Sequence, residues 1–412
     1  MNTRVYFVDN AQSDTTGMSG GDRIAIELGE HWSRSGKAQV SVVGSNLTET
    51  LWKKCAPEPS VEFVHVSHLR EGENLFFSYL KRVLRGIWFS RKLEMDRSEI
   101  NIVYTASDFW PDAITGLFMY LRNRDRCRWI AGFYLFAPNP FKGFVENGSW
   151  GIPSIRSLLY SISQKPVYLA VKIFASMVFV TNENDIDAFV TASRSKDKVI
   201  AVRGGVDTET PARHAEDSAE EAKSIDAVFV GRFHPQKGIV ELIDIWKMVC
   251  DQIPDARLAV IGIGPLEKEV RQRISDNDLD RQVQLYGYLD GMPKYEVFKI
   301  SRLILHPALY DSGGMAAAEG MAWGLPGVSY DLPALRTYYP RGMVKVPVGK
   351  PERFAEAIIE LLRNNEMRRR IGEEARQLTH ESWSWPQQAK SIWQSMESAG
   401  MLLPCNDLSE KK

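Results

Sequence analysis

Short apolar segments alternate with amphipathic segments along almost the whole chain, and this alternation constrains the fold more than any other feature of the sequence. Each apolar segment is too short for a buried helix and has the length and composition of a strand. An amphipathic helix between consecutive strands is typical of parallel sheets, whose strands need long crossover connections. The sequence therefore predicts an α/β protein.

The strand pattern stops once and starts again, which indicates two domains. A length of 412 residues also exceeds one ordinary hydrophobic core. Seven strands are predicted first, at 5–8, 40–43, 61–66, 100–104, 128–132, 177–181 and 198–202. Six more follow, at 227–230, 257–261, 283–286, 302–305, 327–330 and 343–346. We expect a Rossmann-like domain at 1–207, a polar linker at 208–224, a second Rossmann-like domain at 225–382, and a terminal helix within 383–412 that packs back towards the first domain.

Composition excludes several classes of protein. The 51 basic and 52 acidic residues give a net charge of -1, so no global charge points to nucleic acid. The four cysteines are scattered without a C-x-x-C pair, which favours a reducing cytoplasm. The longest apolar run, 166–180, carries Lys172 and is too short to span a membrane.

One segment of the first domain leaves two interpretations open. Residues 80–93 combine basic side chains with Trp88 and Phe89, the make-up of a helix at an anionic membrane surface. The basic side chains are Lys81, Arg82, Arg85, Arg91 and Lys92. An ordinary packing helix with snorkelling basic residues has the same pattern. Peripheral contact of the first domain with the inner face of a membrane is one expectation, and a lipid-linked acceptor would account for it.

A basic turn follows the first strand of the second domain. It runs Gly231-Arg232-Phe233-His234-Pro235-Gln236-Lys237-Gly238. A guanidinium can bind two phosphate oxygens at once, and an ammonium five residues later adds a second positive charge. A basic surface turn that caps a helix is the alternative.

A glycine-rich turn follows a later strand of the same domain. Asp311, Ser312, Gly313 and Gly314 precede a helix that starts near Met315 and carries Glu319 one turn later. Free backbone N–H groups at a helix start attract anions. Taken alone, these residues are also typical of an ordinary capped helix with one exposed glutamate. Together with the basic turn it indicates a nucleotide-sugar site.

The chain resembles family 4 of the retaining GT-B glycosyltransferases, also called glycosyl transferases group 1, over almost its whole length. The resemblance rests on the order and spacing of six segments. They are Gly20-Gly21, Gly204-Gly205-Val206-Asp207, 231–238, Ile261-Gly262-Ile263-Gly264-Pro265-Leu266, the region of Gly287 and Tyr288, and 311–326. It implies two Rossmann-like domains facing across a cleft and transfer of a hexosyl-type sugar from a nucleotide diphosphate sugar to a glycan or lipid-linked acceptor, in cell-surface polysaccharide or glycolipid synthesis.

The resemblance also implies residue roles. Arg232 and Lys237 would bind the donor diphosphate, Glu319 the nucleotide ribose and Asp311 the donor sugar. Backbone groups of Gly313, Gly314 and Met315 would meet the sugar or phosphate. The further binding positions implied are Gly20, Gly21, Gly231, Gly264, Tyr288 and Ser312. A donor phosphate oxygen would help to deprotonate the acceptor, with no metal or other cofactor.

Two departures from the family pattern keep other functions open. The family usually has glutamate where this chain has Asp311, and it places a histidine in the first domain, whereas no histidine occurs between His68 and His214. Asp108 and Tyr134 are candidates to line the acceptor side. The alternatives are a nucleotide-sugar epimerase and a non-catalytic nucleotide- or carbohydrate-binding protein of the same fold.

Overall fold

The computed structural model describes residues 2–12, 18–69, 74–141, 155–214, 223–311 and 313–405, except the side chains of Leu75 and Arg156. The chain divides into two compact units. Unit 1 comprises the described residues within 1–141, 151–204 and 385–412, and unit 2 those within 205–384. Of the predicted linker, residues 215–222 lie outside the described part.

Unit 1 contains a seven-stranded parallel sheet in the order β3-β2-β1-β4-β5-β6-β7. The strands are β1 Thr3–Asp9, β2 Gln39–Ser45, β3 Glu62–Ser67, β4 Ile100–Thr105, β5 Cys127–Gly132, β6 Met177–Val180 and β7 Val199–Ala201. The helices are α1 Gly20–Arg34, α2 Asn46–Cys55, α3 Leu75–Lys92, α4 Trp110–Arg122, α5 Ile155–Phe174 and α6 Ile186–Phe189, with α15 Trp385–Ser398 from the end of the chain. Because parallel strands are covered on both faces, the central strands are apolar and buried.

Helix α15 packs within unit 1 although unit 2 separates it from the rest of that unit in sequence. The indole Nε1 of Trp32 on α1 donates to the carbonyl of Ala389 at 3.0 Å. The rings of Trp32 and Trp393 meet edge to face at 5.3 Å. Trp32 is 2% exposed, so α15 completes the core beside α1.

Unit 2 contains a six-stranded parallel sheet in the order β10-β9-β8-β11-β12-β13. The strands are β8 Ile225–Val230, β9 Leu258–Ile261, β10 Val283–Gly287, β11 Ser301–His306, β12 Gly327–Tyr330 and β13 Met343–Val346. The helices are α7 Glu209–Arg213, α8 Ile239–Gln252, α9 Glu267–Asp276, α10 Met292–Lys299, α11 Met315–Ala322, α12 Pro333–Tyr338, α13 Pro351–Arg363 and α14 Asn365–Ser382.

The predicted α/β class with two doubly wound parallel sheets is confirmed. Each of the thirteen predicted strands coincides with an observed strand, with ends that differ by at most two residues. The order of winding reverses between β1 and β4 in unit 1 and between β8 and β11 in unit 2. Ligands of such sheets bind at the carboxyl ends of the strands beside this switch point. No helix in the described ranges has both the length and the apolarity needed to cross a membrane.

Candidate functional site

The turn after β8 is fixed against the end of β11. Residues Pro235–Lys237 form a 3-10 turn, and the His234 Nδ1 accepts from the Gln236 N–H at 3.3 Å. Gly238 has φ +65°, and a Cβ at this position would lie 2.1 Å from the carbonyl oxygen of Pro307. Only glycine combines that backbone conformation with that close approach. The turn therefore delivers Lys237 to the carboxyl end of β11.

Lys237 meets Asp311 and His306 at that point. The Lys237 Nζ lies 2.6 Å from Asp311 Oδ2, and the His306 Nε2 lies 3.0 Å from the same oxygen. The side chains of Asp311 and His306 are 8% and 3% exposed. Burial by itself raises the pKa of Asp311, but the Lys237 charge and the contact with His306 outweigh it and hold that pKa well below its usual range. Asp311 is thus a buried carboxylate kept ionised by its neighbours.

The second oxygen of Asp311 organises the glycine-rich turn before α11. Its Oδ1 accepts from the backbone N–H groups of Gly313 and Gly314, each at 3.3 Å. The hydroxyl of Tyr339 donates to the Gly314 carbonyl at 2.6 Å and so fixes the other side of the turn. The Tyr339 ring stacks on Trp383 at 5.2 Å. Ser312, which the sequence places in this turn, lies outside the described residues.

These contacts occupy both oxygens of Asp311 with protein donors. Oδ2 faces an ammonium and an imidazole, and Oδ1 faces two backbone N–H groups. A carboxylate offers about four lone-pair sites. A sugar hydroxyl that bound Asp311 would therefore have to displace one of these donors.

Arg232 supplies a second positive charge beside this cluster. It is exposed, and its guanidinium makes no ion pair with any residue in the described part of the chain. The pKa of His234 is lowered, first by burial and then by the charges of Arg232 and Lys237. The turn therefore presents an available guanidinium and an oriented ammonium, which together suit a diphosphate.

Glu319 takes part in a second ion cluster, which was not expected from the sequence. Both of its carboxylate oxygens contact the Lys294 Nζ, at 2.9 and 3.0 Å, and Asp290 Oδ1 contacts the same nitrogen at 3.0 Å. The side chain of Lys294 is 6% exposed, whereas that of Glu319 is 22% exposed. Burial by itself lowers the pKa of Lys294. The charges of Glu319 and Asp290 raise it by more, so this pKa lies above its usual value. Glu319 is held in one orientation and still reaches the surface.

The other predicted residues of unit 2 follow strand ends of the same sheet. The Gly231 N–H donates to the Ile261 carbonyl at 3.0 Å. A Cβ at Gly264 would lie 2.6 Å from the Phe233 carbonyl oxygen, so the turn after β9 packs on the turn after β8. Met315 is the first residue of α11, and half-buried Tyr288 follows β10. The structure brings together the turns that follow β8, β9 and β11, and Tyr288 directly follows the outer strand β10.

The remaining predicted residues lie in unit 1. Gly20 and Gly21 are the first residues of α1, and a Cβ at Gly21 would lie 3.0 Å from the ring of Tyr134. Asp108 follows β4 and accepts from the Gln164 Nε2 at 2.7 Å. Burial raises the pKa of Asp108 to about 6. Asp108 and Tyr134 therefore follow neighbouring strands of unit 1, at the carboxyl edge of its sheet.

Two further buried carboxyl groups lie at this edge of unit 1. Asp112, 1% exposed, accepts from the Asn10 N–H at 2.6 Å and from the Ser107 hydroxyl at 2.5 Å, and burial raises its pKa to about 7. Asp9 is fully buried and accepts from the Trp52 indole at 2.9 Å. Its pKa is raised, first by burial and then by the charges of Asp22 and Asp112.

The sequence interpretation did not identify His306 and Lys294 as site residues. His306 ends a strand five residues before Asp311, and the sequence favours a structural role for it. Its position at the carboxyl end of a strand, beside a glycine-rich turn, could have marked it as a site residue. Lys294 lies on a short helix 25 residues before Glu319. Nothing local in the sequence marks their pairing.

Part of the chain matches a described family, and two curated proteins are similar to about a third of it. Residues 212–378 match the family described as glycosyl transferases group 1. The chain is 31% identical over 147 residues to a phosphatidyl-myo-inositol mannosyltransferase of Mycobacterium leprae (strain TN), covering 35% of this chain and 38% of that protein. It is 27% identical over 153 residues to a poly(glycerol-phosphate) alpha-glucosyltransferase of Bacillus subtilis (strain 168), covering 36% of this chain and 22% of that protein. The aligned segments thus span less than half of either relative.

A solved structure is similar to almost the whole chain. The crystal structure of an S. aureus TarM mutant in complex with Fondaparinux, alpha-GlcNAc-glycerol and UDP covers 96% of this chain, and this chain covers 99% of that one, with a TM-score of 0.72 and 11% identity. At that identity the likeness shows the fold alone. The predicted GT-B architecture is confirmed.

Proposed function

We propose that this protein is a group 1 glycosyltransferase and that it moves a hexosyl-type sugar from a nucleotide diphosphate sugar to a glycan or lipid-linked acceptor. The observation that carries the proposal is that the turns after β8 and β11, the strands on either side of the switch point of unit 2, hold an available Arg232 and an oriented Lys237, with a surface-reaching Glu319 on the helix after β11. The mannosyl- and glucosyltransferase relatives and the UDP in the TarM structure support a nucleotide-sugar donor.

Arg232 and Lys237 would stabilise the leaving diphosphate. When the bond between the sugar C1 and the phosphate oxygen breaks, its electron pair stays on the diphosphate and the negative charge there grows. Fixed positive groups that meet this charge lower the barrier because they need no reorganisation during the reaction. One of the three ammonium protons of Lys237 contacts Asp311, so two remain for phosphate oxygens.

Asp311 would act mainly by holding Lys237 and the glycine-rich turn in place. Both of its oxygens are occupied, and His306 fixes it from the buried side. We therefore assign Asp311 and His306 as positioning residues. Contact of Asp311 with the donor sugar, which the family pattern implied, would require one of its donors to leave.

Glu319 would accept hydrogen bonds from the ribose hydroxyls of the nucleotide. Lys294 uses one direction of each carboxylate oxygen, and each oxygen keeps a further lone pair. The ion cluster fixes the Glu319 side chain before the ligand arrives, which reduces the entropy lost on binding.

The rest of the proposal follows the family pattern. The acceptor hydroxyl would attack C1 on the face that the diphosphate leaves, and its proton would pass to a donor phosphate oxygen, so that the anomeric configuration is retained without a metal. Unit 1 would bind the acceptor, with Asp108 among its contacts. The enzyme would act in polysaccharide or glycolipid synthesis in the cytoplasm, at the inner face of a membrane.

The test is donor binding and turnover in Arg232→Ala. We expect one nucleoside diphosphate among UDP, GDP, ADP and dTDP to raise the melting temperature in EDTA, and its sugar conjugate to be hydrolysed slowly without acceptor. In Arg232→Ala we expect hydrolysis to fall on the order of 10²–10³-fold. Arg281→Ala, an exposed arginine elsewhere on unit 2, is the matched control. Stabilisation without any turnover of the sugar conjugate would point instead to a binding protein, and release of an epimerised donor to an epimerase.

A further inference from the structure

Helix α3 of unit 1 exposes a stripe of large apolar side chains. Phe76, Phe77, Leu84 and Trp88 are 60–70% exposed, and Leu80 is 37% exposed. Spacings of three and four residues place them along one side of the helix. The stripe is therefore a continuous apolar strip about three and a half turns long.

Helix α5 exposes a second stripe of the same kind. Ile155 is 77% exposed, and Leu159, Ile162, Leu169 and Ile173 are each more than half exposed. They again recur every three, four or seven residues, so that they share one face over a helix of 20 residues. Water-exposed apolar surface of this extent marks a site of interaction with a protein or a membrane.

The two helices belong to one layer of unit 1, with α4 between them. The start of α4 joins them through its first residues. The Trp110 N–H donates to the Tyr79 hydroxyl of α3, and the Trp110 indole donates to the Ser163 carbonyl of α5, each at 2.9 Å. The exposed Phe109 ring meets Tyr160 of α5 at 6.2 Å. We call the exposed apolar residues of α3 and α5, with Phe109 between them, the α3–α5 surface.

The charge of these two helices has one sign. Their combined 38 residues contain no aspartate and no glutamate. They contain eight basic residues, Lys81, Arg82, Arg85, Arg91, Lys92, Arg156, Lys165 and Lys172, of which Arg82 is buried and donates to backbone carbonyls. The chain as a whole has slightly more acidic than basic residues, so this distribution is a local property.

The basic side chains lie beside the apolar stripe. Lys81, Arg85 and Lys92 follow one another along the edge of the α3 stripe at intervals of four and seven residues. The Lys92 ammonium lies 3.6 Å from the centroid of the exposed Trp88 ring. An indole with an adjacent ammonium suits the headgroup level of a bilayer, where the ring enters the lipid and the charge stays at the phosphates.

We propose that the α3–α5 surface docks unit 1 onto a bilayer that contains anionic lipid. A protein partner would need complementary acidic side chains, whereas a bilayer supplies both an apolar interior for the stripes and phosphates for a cationic edge. Each basic residue near such a surface contributes about fivefold to binding, and salt screens this part over roughly a nanometre. Burial of the aromatic and aliphatic side chains supplies the part that salt does not remove.

The docked orientation has a consequence for the acceptor. In a parallel α/β sheet the helices start at the carboxyl ends of the strands, so the starts of α3, α4 and α5 lie at the same edge of the sheet as Asp108. A lipid-linked acceptor in the docked bilayer would then be near that edge. This consequence rests on the proposed function, whereas docking itself does not.

The experiment is vesicle flotation of the full chain without nucleotide, with phosphatidylcholine vesicles that contain or lack about 30% phosphatidylglycerol. We expect binding to the anionic vesicles only, weakened at least about tenfold between roughly 0.05 and 0.5 M salt. Leu84→Ser combined with Trp88→Ser should abolish it, and Lys81→Glu combined with Arg85→Glu should weaken it at least about 25-fold. The matched controls in unit 2 are exposed Val348→Ser and the pair Arg353→Glu with Arg370→Glu, which should bind as wild type.

Several outcomes would overturn the proposal. They are absence of binding by the folded wild-type chain, equal binding by the α3 variants, and a dimer that the α3 variants convert to monomers without any lipid binding. The last result would make the α3–α5 surface a contact between two copies. Melting curves of each variant show that it is folded. The flotation assay contains no nucleotide sugar, so its result tests membrane docking independently of glycosyl transfer.

Discussion

Replacement of Lys294 by methionine should destabilise unit 2, because it leaves two carboxylates without their shared partner. Lys294 Nζ lies within 3.0 Å of Asp290 and of both Glu319 oxygens, and it is 6% exposed. Methionine fills a similar volume, so the change removes charge more than packing. The two carboxylates would then face each other across an apolar side chain.

The size of the effect follows from the burial of the cluster. Removal of one partner from a buried ion pair costs about 3–5 kcal/mol. Glu319 keeps 22% exposure and can recover some hydration, so we expect the lower end, about 3 kcal/mol. For a unit of this size that corresponds to a fall in melting temperature of roughly 6–12 °C. Affinity for the nucleoside diphosphate should fall as well, by about tenfold, because Glu319 is no longer held in place.

The assay is thermal unfolding with and without the nucleoside diphosphate, in Lys294→Met and Lys294→Arg. Arginine keeps the charge and should recover most of the stability. Lys268→Met, at an exposed position on α9, controls for the loss of one surface charge. A melting temperature of Lys294→Met within one degree of wild type would refute the reasoning, since it would mean that the cluster contributes no net free energy.

Two further predictions concern the buried carboxyl groups. Because the pKa of Asp112 is raised from about 4 in the unfolded chain to about 7, the stability it contributes is complete below pH 4 and is lost as the pH rises through 7. Asp112→Asn should therefore flatten the fall in unfolding free energy between pH 4 and 7, measured by urea titration, and an unchanged slope would contradict the assignment. Asp311→Asn should lower turnover at least about tenfold while changing the affinities for nucleoside diphosphate and nucleotide sugar by the same factor, because it releases Lys237. A loss of affinity for the nucleotide sugar alone, measured by calorimetry, would show instead that Asp311 contacts the sugar.

The fold was readable from the sequence because its signals are local. A strand such as Leu258–Ile261 is apolar and short, with an arginine before it and a glycine after it, and the helix that starts at Pro351 has apolar residues at helical spacing. The basic and glycine-rich turns could be assigned to one site because each directly follows a strand of the same sheet. Parallel strands bring such turns to one edge.

The contacts inside the site were not readable, because they depend on distances between elements far apart in sequence. The pairing of Lys294 with Glu319 joins two helices across β11, and neither residue type is distinctive on a helix. The full occupation of Asp311 depends on where the Lys237 side chain ends, 74 positions earlier.

The position of α15 has a consequence for synthesis on the ribosome. The face of α1 that packs against α15 stays exposed until residues around Ala389 and Trp393 have been made. The last residue of unit 1 before α15 is Gly204. At about 5–20 residues per second the interval lasts roughly 10–40 s. Unit 2 is complete within that interval and can fold first, although it comes second in the chain. A nascent chain stalled before α15 would leave the Trp32 indole exposed to chaperones. A truncation before α15 would remove part of the core of unit 1.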